Sequence, residues 1–269
     1  MHSMNARPRR VTAPDFARMK AEGHKISMLT AYDFTFARLL DQAGIDAILV
    51  GDSLAMVVQG YEDTLPVTLD EMIYHARLVG RAVQRAMVIV DLPFGTYQSS
   101  ASQALDSAVR ILKETRCQAV KLECSADQSD VIRTLVGAGI PVMAHVGLSP
   151  QAVHQIGGYK VQRDEERLTQ IAQASQDAGA FAILLECIAT PIATRVSQSL
   201  RVPTIGIGAG PHCDGQVLVT YDMLGLTSGY TPKFVRQYAD LGQQIRQAAE
   251  AYRADLQSGQ FPGPGEGYA

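Results

Sequence analysis

A chain of 269 residues is long enough for one large domain with a substantial hydrophobic core. Hydrophobic residues make up 46% and charged residues 19% of the sequence, an ordinary balance for a well-cored enzyme. The formal net charge of −3 gives no reason to expect nucleic acid or an anionic membrane as a partner. No segment approaches the ~18 consecutive apolar residues that span a membrane, and residues 1–25 contain no apolar signal-peptide core. The four cysteines show no C-x-x-C spacing, so we expect reduced thiols in a cytoplasmic protein.

Short apolar runs alternate with segments of helical spacing along the chain. The runs predict strands buried on both faces, as in parallel sheets covered by helices. The predicted strands are residues 25–33, 47–50, 87–90, 118–123, 141–146, 181–186, 204–208 and 217–219. The predicted helices are residues 12–22, 34–43, 69–84, 102–114, 127–136, 165–178, 191–199 and 233–256.

Eight strands with helices between them imply parallel pairing, and eight is the number that closes a barrel. We therefore predict an α/β fold, a (βα)8 TIM barrel. We expect one domain over residues 1–269, with short mobile tails at about residues 1–11 and 258–269. A doubly wound open sheet is the alternative architecture.

Four of the apolar strands carry or end in an acid, namely Asp52, Asp91, Glu123 and Glu186. Asp52 and Asp91 close neighbouring strands, which lie about 4.8 Å apart in a sheet. Two carboxylates this close repel unless a cation or a shared proton lies between them. Glu123 comes from the next strand, and oxygen-only ligands of this kind suit Mg²⁺. Helix capping and turn formation are the alternative roles of these acids.

Alternation along the fourth strand places Lys121 and Glu123 on one face and Val120 and Leu122 on the other. The apolar pair suits the helix-covered outside of a barrel. Lys121 and Glu123 are therefore expected to point towards the barrel axis. A mutual salt bridge that closes the barrel mouth is the alternative role of this charged pair.

Glu186 ends strand six, across the barrel from the other acids. A carboxyl group near an apolar wall can exchange protons near neutral pH, which would suit a general base. A carboxylate satisfied by backbone amides is the alternative. His145 and Tyr32, at the ends of strands five and one, are each either core residues or substrate contacts. Cys124 and Cys187 follow key acids without a paired histidine, so packing is their expected role.

Motifs in the same order along about residues 12–262 resemble the ketopantoate hydroxymethyltransferase family. They are T-A-Y-D at 30–33, V-G-D-S-L at 50–54, T-L-P-V-T at 64–68, D-L-P-F at 91–94, V-K-L-E at 120–123, G-G-Y-K-V-Q at 157–162, L-E-C at 185–187 and I-G-I-G-A-G at 205–210. The chain departs from the family pattern after residue 162, where Arg163-Asp164-Glu165 follows directly. It also departs at residues 114–117, where a glycine turn is usual.

The resemblance implies a barrel of the phosphoenolpyruvate-binding type. It implies Mg²⁺-dependent hydroxymethyl transfer from 5,10-methylenetetrahydrofolate to 3-methyl-2-oxobutanoate, giving 2-dehydropantoate in the first step of pantothenate biosynthesis. It also implies a homo-oligomer, commonly a decamer.

The residues that match the family's functional positions lie at the ends of predicted strands. The metal-site acids correspond to Asp52, Asp91 and Glu123. The keto-acid contacts correspond to Asp52, Ser53, Asp91 and Lys121. The proton acceptor corresponds to Glu186.

Two other classes of protein compete with this interpretation. A lyase or mutase of the phosphoenolpyruvate mutase/isocitrate lyase type would share the barrel, the Mg²⁺ and a keto-acid enolate. Such an enzyme needs a cleavage loop, usually with a reactive cysteine, and the sequence shows no such motif. A non-enzymatic assembly or ligand-sensing barrel is the other class, but a binding protein needs no base opposite a metal.

Overall fold

Parallel strands close into a barrel in chain order in the computed structural model, which describes residues 9–124, 128–158, 160–227, 229 and 231–268. Each strand pairs with its sequence neighbours, and the first closes on the eighth. The strands are β1 (Ile26–Thr30), β2 (Ala47–Val50), β3 (Met87–Asp91), β4 (Ala119–Glu123), β5 (Val142–Gly147), β6 (Ala182–Glu186), β7 (Thr204–Ile207) and β8 (Gly215–Leu218). The predicted (βα)8 barrel is therefore confirmed, and the open sheet is wrong.

Helices follow the strands and cover the outside of the barrel. For example, α4 contacts β2 and β3, while α8 contacts β5 and β6. The helices are α1 (Ala13–Ala21), α2 (Phe34–Gln42), α3 (Leu54–Val57), α4 (Leu69–Ala82), α5 (Ala101–Glu114), α6 (Ser129–Gly137), α7 (Val153–Ile156), α8 (Glu165–Asp177), α9 (Thr190–Ser199), α10 (Thr220–Met223) and α11 (Leu241–Ser258). Within the described ranges, none of these helices has the length and apolar character needed to cross a bilayer.

The chain divides into two compact units, one ending at Val219 and the other beginning at Thr220. The first contains the barrel with α1 to α9, and the second contains α10 and α11. The predicted single domain with mobile tails stays a prediction. Asp127, the predicted start of the helix after β4, and Tyr159 of the G-G-Y-K-V-Q motif lie outside the described residues.

The last helix begins later than the sequence predicted. Asp240 caps α11 by accepting a hydrogen bond from Gln243 N at 3.1 Å. Leu241 N donates to Leu224 O at 2.9 Å instead of to a helical carbonyl. The predicted start at residue 233 is wrong, because a polar side chain at position 240 satisfies the N–H groups of the first turn.

Alternate strand residues fill the barrel interior. The core cluster includes Ala119 of β4, with Leu49, Ile89 and Met143 from neighbouring strands. Lys121 and Glu123 have the same parity as Ala119, so they continue this inner face towards the carboxyl end. The predicted inward direction of both charged side chains is confirmed.

A capping box fixes the start of α4. Thr68 N and Thr68 Oγ1 each donate to Glu71 Oε2 at 2.7 Å, and Glu71 N donates to Thr68 Oγ1 at 3.3 Å. These bonds satisfy N–H groups that have no partner inside the helix. The hydroxyl and then the backbone N–H of Thr68 lower the pKa of the Glu71 carboxyl.

Thr68→Ala should lower the free energy of unfolding by about 1 kcal/mol, which corresponds to about 2–4 °C in Tm for a protein of this size. Because the pKa of Glu71 is lowered on folding, its stabilisation is present above the unfolded pKa, about 4.3, and is lost as the pH falls through the folded pKa. The difference in free energy of unfolding between Thr68→Ala and wild type should therefore be full at pH 7 and should shrink below about pH 4. Thermal unfolding at both pH values measures it, with Thr68→Ser as the control that keeps the hydroxyl. Equal Tm values for Thr68→Ala and wild type at pH 7 would contradict the role of this cap.

Candidate active site

Three buried acids lie near one another at the carboxyl end of the barrel, at the ends of three consecutive strands. Asp52 follows β2, Asp91 ends β3 and Glu123 ends β4. Asp52 N donates to Asp91 Oδ2 at 3.1 Å, which ties the first two together. Lys121 Nζ lies 2.8 Å from Asp91 Oδ1. The ion-pair partner of Lys121 is therefore on the neighbouring strand.

Burial and charge crowding govern the protonation of this cluster. Burial raises the pKa of Asp91 to about 7, with Lys121 opposing the rise and Asp52 adding to it. Burial, reinforced by Asp52, raises the pKa of Glu123 well above its usual value. Burial alone would lower the pKa of Lys121, but Asp91 and Asp52 outweigh it, so this pKa is raised. The cluster therefore holds more acid than its lysine neutralises, and it favours a further cation or a proton.

The donor set suits a hard cation held by few protein ligands. Among the described residues, no three His, Cys, Asp or Glu side chains converge closely enough to hold a metal ion together. Mg²⁺ commonly takes one or two carboxylates and fills its other positions with water and substrate. Asp52 and Asp91, which are adjacent and buried beside an excess of negative charge, fit that requirement.

Gln151 links Asp52 and Glu123, and no sequence pattern predicts this role. It lies in a short 3-10 helix, Pro150–Ala152, that follows β5. Its side-chain Nε2 donates to Asp52 Oδ2 at 2.9 Å. Its backbone N–H lies 3.2 Å from each carboxylate oxygen of Glu123. A glutamine in a polar loop carries no sequence signal for burial, so only the folded loop reveals this role.

His145 lies between the buried acids and Glu186. Its Nε2 is 3.2 Å from Glu186 Oε2, and its Nδ1 is 3.9 Å from Glu123 Oε1. Burial first, and Lys121 second, lower the pKa of the imidazole, which favours its neutral form. The sequence left His145 as either a core residue or a substrate contact. The structure makes it a buried neighbour of two acids.

The backbone around Glu186 is tightly constrained. Cys187 adopts a left-handed conformation with φ of 49°, uncommon for a residue with a side chain. Its N–H donates to Ile207 O at 2.8 Å, and its carbonyl accepts from Gln162 N at 2.7 Å. On the other side, a Cβ at Gly147 would lie 2.2 Å from Glu186 O, so only glycine fits there. These contacts fix the end of β6 and hence the direction of Glu186.

Ser53 starts α3 beside Asp52, and its Oγ lies 2.9 Å from the hydroxyl of Tyr32. Tyr32 is almost fully buried, so its hydroxyl gives the side chain of Ser53 a fixed hydrogen-bond partner. Both residues are therefore at the barrel mouth, at the ends of β2 and β1.

A cavity of about 730 Å³ opens beside the acids. Glu123, Tyr97 and Gln151 form its polar inner wall, while Phe94 and Leu168 contribute apolar surface. Cavities of ~300–1,000 Å³ are typical of small-molecule sites. The cavity therefore has the size of a small-molecule site, and Glu123 lies in its wall.

The fold is similar to those of solved structures of other barrel enzymes. A 2,3-dimethylmalate lyase of the phosphoenolpyruvate mutase/isocitrate lyase superfamily aligns with a TM-score of 0.62 and 22% identity, covering 95% of this chain and 90% of the other. A phosphonopyruvate hydrolase, solved in complex with oxalate and Mg²⁺, aligns with a TM-score of 0.60 and 15% identity, covering 95% and 93%. At these identities the likeness shows the fold alone, a closed barrel of parallel strands.

Other proteins share far more sequence identity with this chain than these solved structures do. The chain is 57% identical over 259 residues to a 3-methyl-2-oxobutanoate hydroxymethyltransferase from Desulforapulum autotrophicum, covering 96% of this chain and 98% of the relative. It is 53% identical over 268 residues to the protein of the same name from Rhodopirellula baltica, covering 100% of both chains. The sequence model described as ketopantoate hydroxymethyltransferase matches residues 10–264. The chain therefore belongs to the ketopantoate hydroxymethyltransferase family of transferases.

Proposed function

We propose that this protein transfers a hydroxymethyl group from 5,10-methylenetetrahydrofolate to 3-methyl-2-oxobutanoate at the carboxyl end of its barrel, giving 2-dehydropantoate for pantothenate biosynthesis. The observation that carries the proposal is the separation of charged groups at the barrel mouth. Asp52, Asp91, Glu123 and Lys121 form one buried cluster. Glu186 stands apart from that cluster, with His145 between them. Reactions that remove a proton next to a carbonyl need both parts: a site that stabilises negative charge and a separate base.

Mg²⁺ is the proposed metal, with Asp52, Asp91 and Glu123 as the residues that would hold it, directly or through water. The excess of buried negative charge supports this assignment. Bound Mg²⁺ would supply positive charge where the keto oxygen becomes negative. The related fold that was solved with oxalate and Mg²⁺ gives further support, because oxalate presents two adjacent oxygens as a 2-keto acid does.

The keto acid would be held by Asp52, Ser53, Asp91 and Lys121. Ser53 can turn its hydroxyl towards a carboxylate while the buried Tyr32 holds it in place. Lys121 keeps its proton because Asp91 and Asp52 raise its pKa. Its ammonium therefore adds positive charge beside the substrate's oxygens.

Glu186 would accept the proton from C3 of the keto acid. The neutral imidazole of His145, 3.2 Å from Glu186 Oε2, would orient the carboxylate. C3 then forms a C–C bond with the methylene carbon of the donor. The two C–N bonds between that carbon and folate break, and one water supplies the hydroxyl group. The two folate nitrogens take up two protons, one from that water and one that balances the proton removed from C3. The cavity of about 730 Å³ beside Glu123 offers space for this larger second substrate.

The cysteines favour this reaction over a lyase or mutase that works through a reactive thiol. Burial raises the pKa of the Cys124 thiol to about 12 and that of Cys187 to about 12. The thiolate is the nucleophilic form of cysteine, and at neutral pH these thiols stay protonated.

We also assign the protein to the cytoplasm and to a homo-oligomer, a decamer as is common in the family. Its four cysteines are free, as expected in a reducing compartment. Large hydrophobic side chains are exposed in the second unit, including Tyr238, Ile245 and Tyr252, and such surfaces are typical of subunit contacts. The mass of the assembly in solution, measured by light scattering, tests the assignment to a decamer.

Purified protein should form 2-dehydropantoate from 3-methyl-2-oxobutanoate only when both the folate donor and Mg²⁺ are present. A chelator should stop product formation, and added Mg²⁺ should restore it. Mass spectrometry of the product provides the measurement. Product formation at the full rate with excess chelator would exclude the metal, and no product under any condition would exclude the reaction.

Glu186→Gln should bind the keto acid with unchanged affinity but lose exchange of the C3 proton with deuterated solvent by about 100-fold or more, because the amide cannot accept the proton. Proton NMR of the keto acid in D₂O measures the exchange. Glu250→Gln, on the exposed part of α11, is the matched control and should exchange normally. Undiminished exchange in Glu186→Gln would remove this residue from the role of base.

Asp91→Asn should weaken Mg²⁺ binding and Mg²⁺-dependent turnover by about 100-fold, because it keeps the shape of the side chain but removes its charge. Titration calorimetry with Mg²⁺ and turnover assays measure the two effects. Asp106→Asn, an exposed position on α5, provides the control. Wild-type Mg²⁺ affinity in Asp91→Asn would contradict the assignment of this residue to the metal site.

A further inference from the structure

Every donor and acceptor of the Gln151 side-chain amide has a hydrogen-bond partner. Its Nε2 donates to Asp52 Oδ2 at 2.9 Å and to Leu92 O at 3.0 Å. Its Oε1 accepts from the Tyr97 hydroxyl at 2.7 Å and from Gln98 Nε2 at 3.0 Å. Both hydrogens and both lone pairs of the amide are therefore occupied, which is the full capacity of this group.

The partners of Gln151 also fix which way its amide points. The carboxylate of Asp52 and the carbonyl of Leu92 are acceptors, so the NH₂ end must face them. A flipped amide would set its oxygen against both acceptors and would leave buried polar groups unsatisfied. The side chain, which is buried, is therefore held in one orientation.

The hydrogen bonds around Gln151 form a closed loop that includes Glu123. Glu123 N donates to the Tyr97 hydroxyl at 3.2 Å, and that hydroxyl donates to Gln151 Oε1. Gln151 N–H in turn donates to the Glu123 carboxylate, with both oxygens at 3.2 Å. Asp52 is attached to this loop through Gln151 Nε2. One residue thus ties together acids from β2 and β4, which are not neighbouring strands.

We infer that Gln151 is a positioning residue that sets the carboxylates of Asp52 and Glu123 relative to each other, so that both can serve one Mg²⁺ ion. The inference rests on the proposed function, because it requires Mg²⁺ at these acids. Groups that hydrogen-bond to metal ligands typically change metal affinity or activity by about 10–100-fold. This role differs from packing, because Gln151 orients two specific carboxylates through hydrogen bonds.

Gln151→Met in the full chain tests the role, since methionine keeps the length of the side chain but forms none of its four side-chain hydrogen bonds, while the backbone N–H bond to Glu123 remains. Calorimetric titration with Mg²⁺ should give a Kd raised about 10–100-fold. Turnover should fall at low Mg²⁺ and recover at saturating Mg²⁺, with the KM for the keto acid little changed. Gln198→Met on α9 makes the same replacement at an exposed position that does not line the cavity, and it should behave as wild type.

Tyr97→Phe provides a second variant in case Gln151→Met does not fold. It keeps the buried ring but removes the hydroxyl that joins Glu123 N to Gln151 Oε1. Mg²⁺ binding should weaken in the same direction by a smaller factor. Circular dichroism and thermal unfolding establish that each variant is folded before the titration.

Wild-type Mg²⁺ affinity in folded Gln151→Met would overturn the inference. The same result in Tyr97→Phe would overturn it if Gln151→Met does not fold. A loss of turnover that excess Mg²⁺ does not restore, with unchanged Kd, would show a structural role and would also overturn it. The wild-type titration separates this test from the proposed function: if wild type binds no Mg²⁺, the proposed metal site itself fails.

Discussion

Buried negative charge at the carboxyl end of β2, β3 and β4 is the constraint on which the rest of the site depends. Three carboxylates share this region with one ammonium group, that of Lys121. Charges interact strongly where water is excluded, so three ionised acids here would repel one another. Lys121 and two backbone N–H groups offset part of that repulsion, and burial, with the charge of Asp52 adding to it, raises the pKa values of Asp91 and Glu123. A cation at this position would neutralise the remaining negative charge.

The residues proposed for charge stabilisation and for proton transfer lie on different strands of the barrel. Strands β2, β3 and β4 carry the acids of the charged cluster, whereas β6, which carries Glu186, lies opposite β2 in the closed barrel. His145 on β5 spans the gap, and its imidazole contacts acids on both sides. Because its pKa is lowered by burial, it adds no positive charge that would compete with Lys121. The proposed roles therefore fall on separate groups, and the geometry of parallel strands sets the distances between them.

The sequence predicted the barrel and the cluster of acids for the same reason: both follow from local patterns. An apolar run that ends in Asp or Glu marks a buried strand and its polar exit, and alternation in Val120-Lys121-Leu122-Glu123 fixes which side chains point inward. Gln151 could not be found in this way. Its contact with Asp52 joins positions 99 residues apart and depends on how the loop after β5 folds back over the barrel. The left-handed turn at Cys187 and the late start of α11 likewise depend on contacts that no local pattern records.

Exposure at the barrel mouth agrees with the division of roles. The side chains of Asp91 and Lys121 are 3% and 7% exposed, whereas that of Glu186 is 19% exposed. Acids that hold a cation gain from the exclusion of water, because their attraction to it is then less screened. A base must instead pass its proton on after each turnover, and contact with water provides the route. The thiols of Cys124 and Cys187 stay protonated at neutral pH, so neither of them competes as a nucleophile with that proton transfer. The more open position of Glu186 is therefore what a proton acceptor requires, and the closed position of the other acids is what charge stabilisation requires.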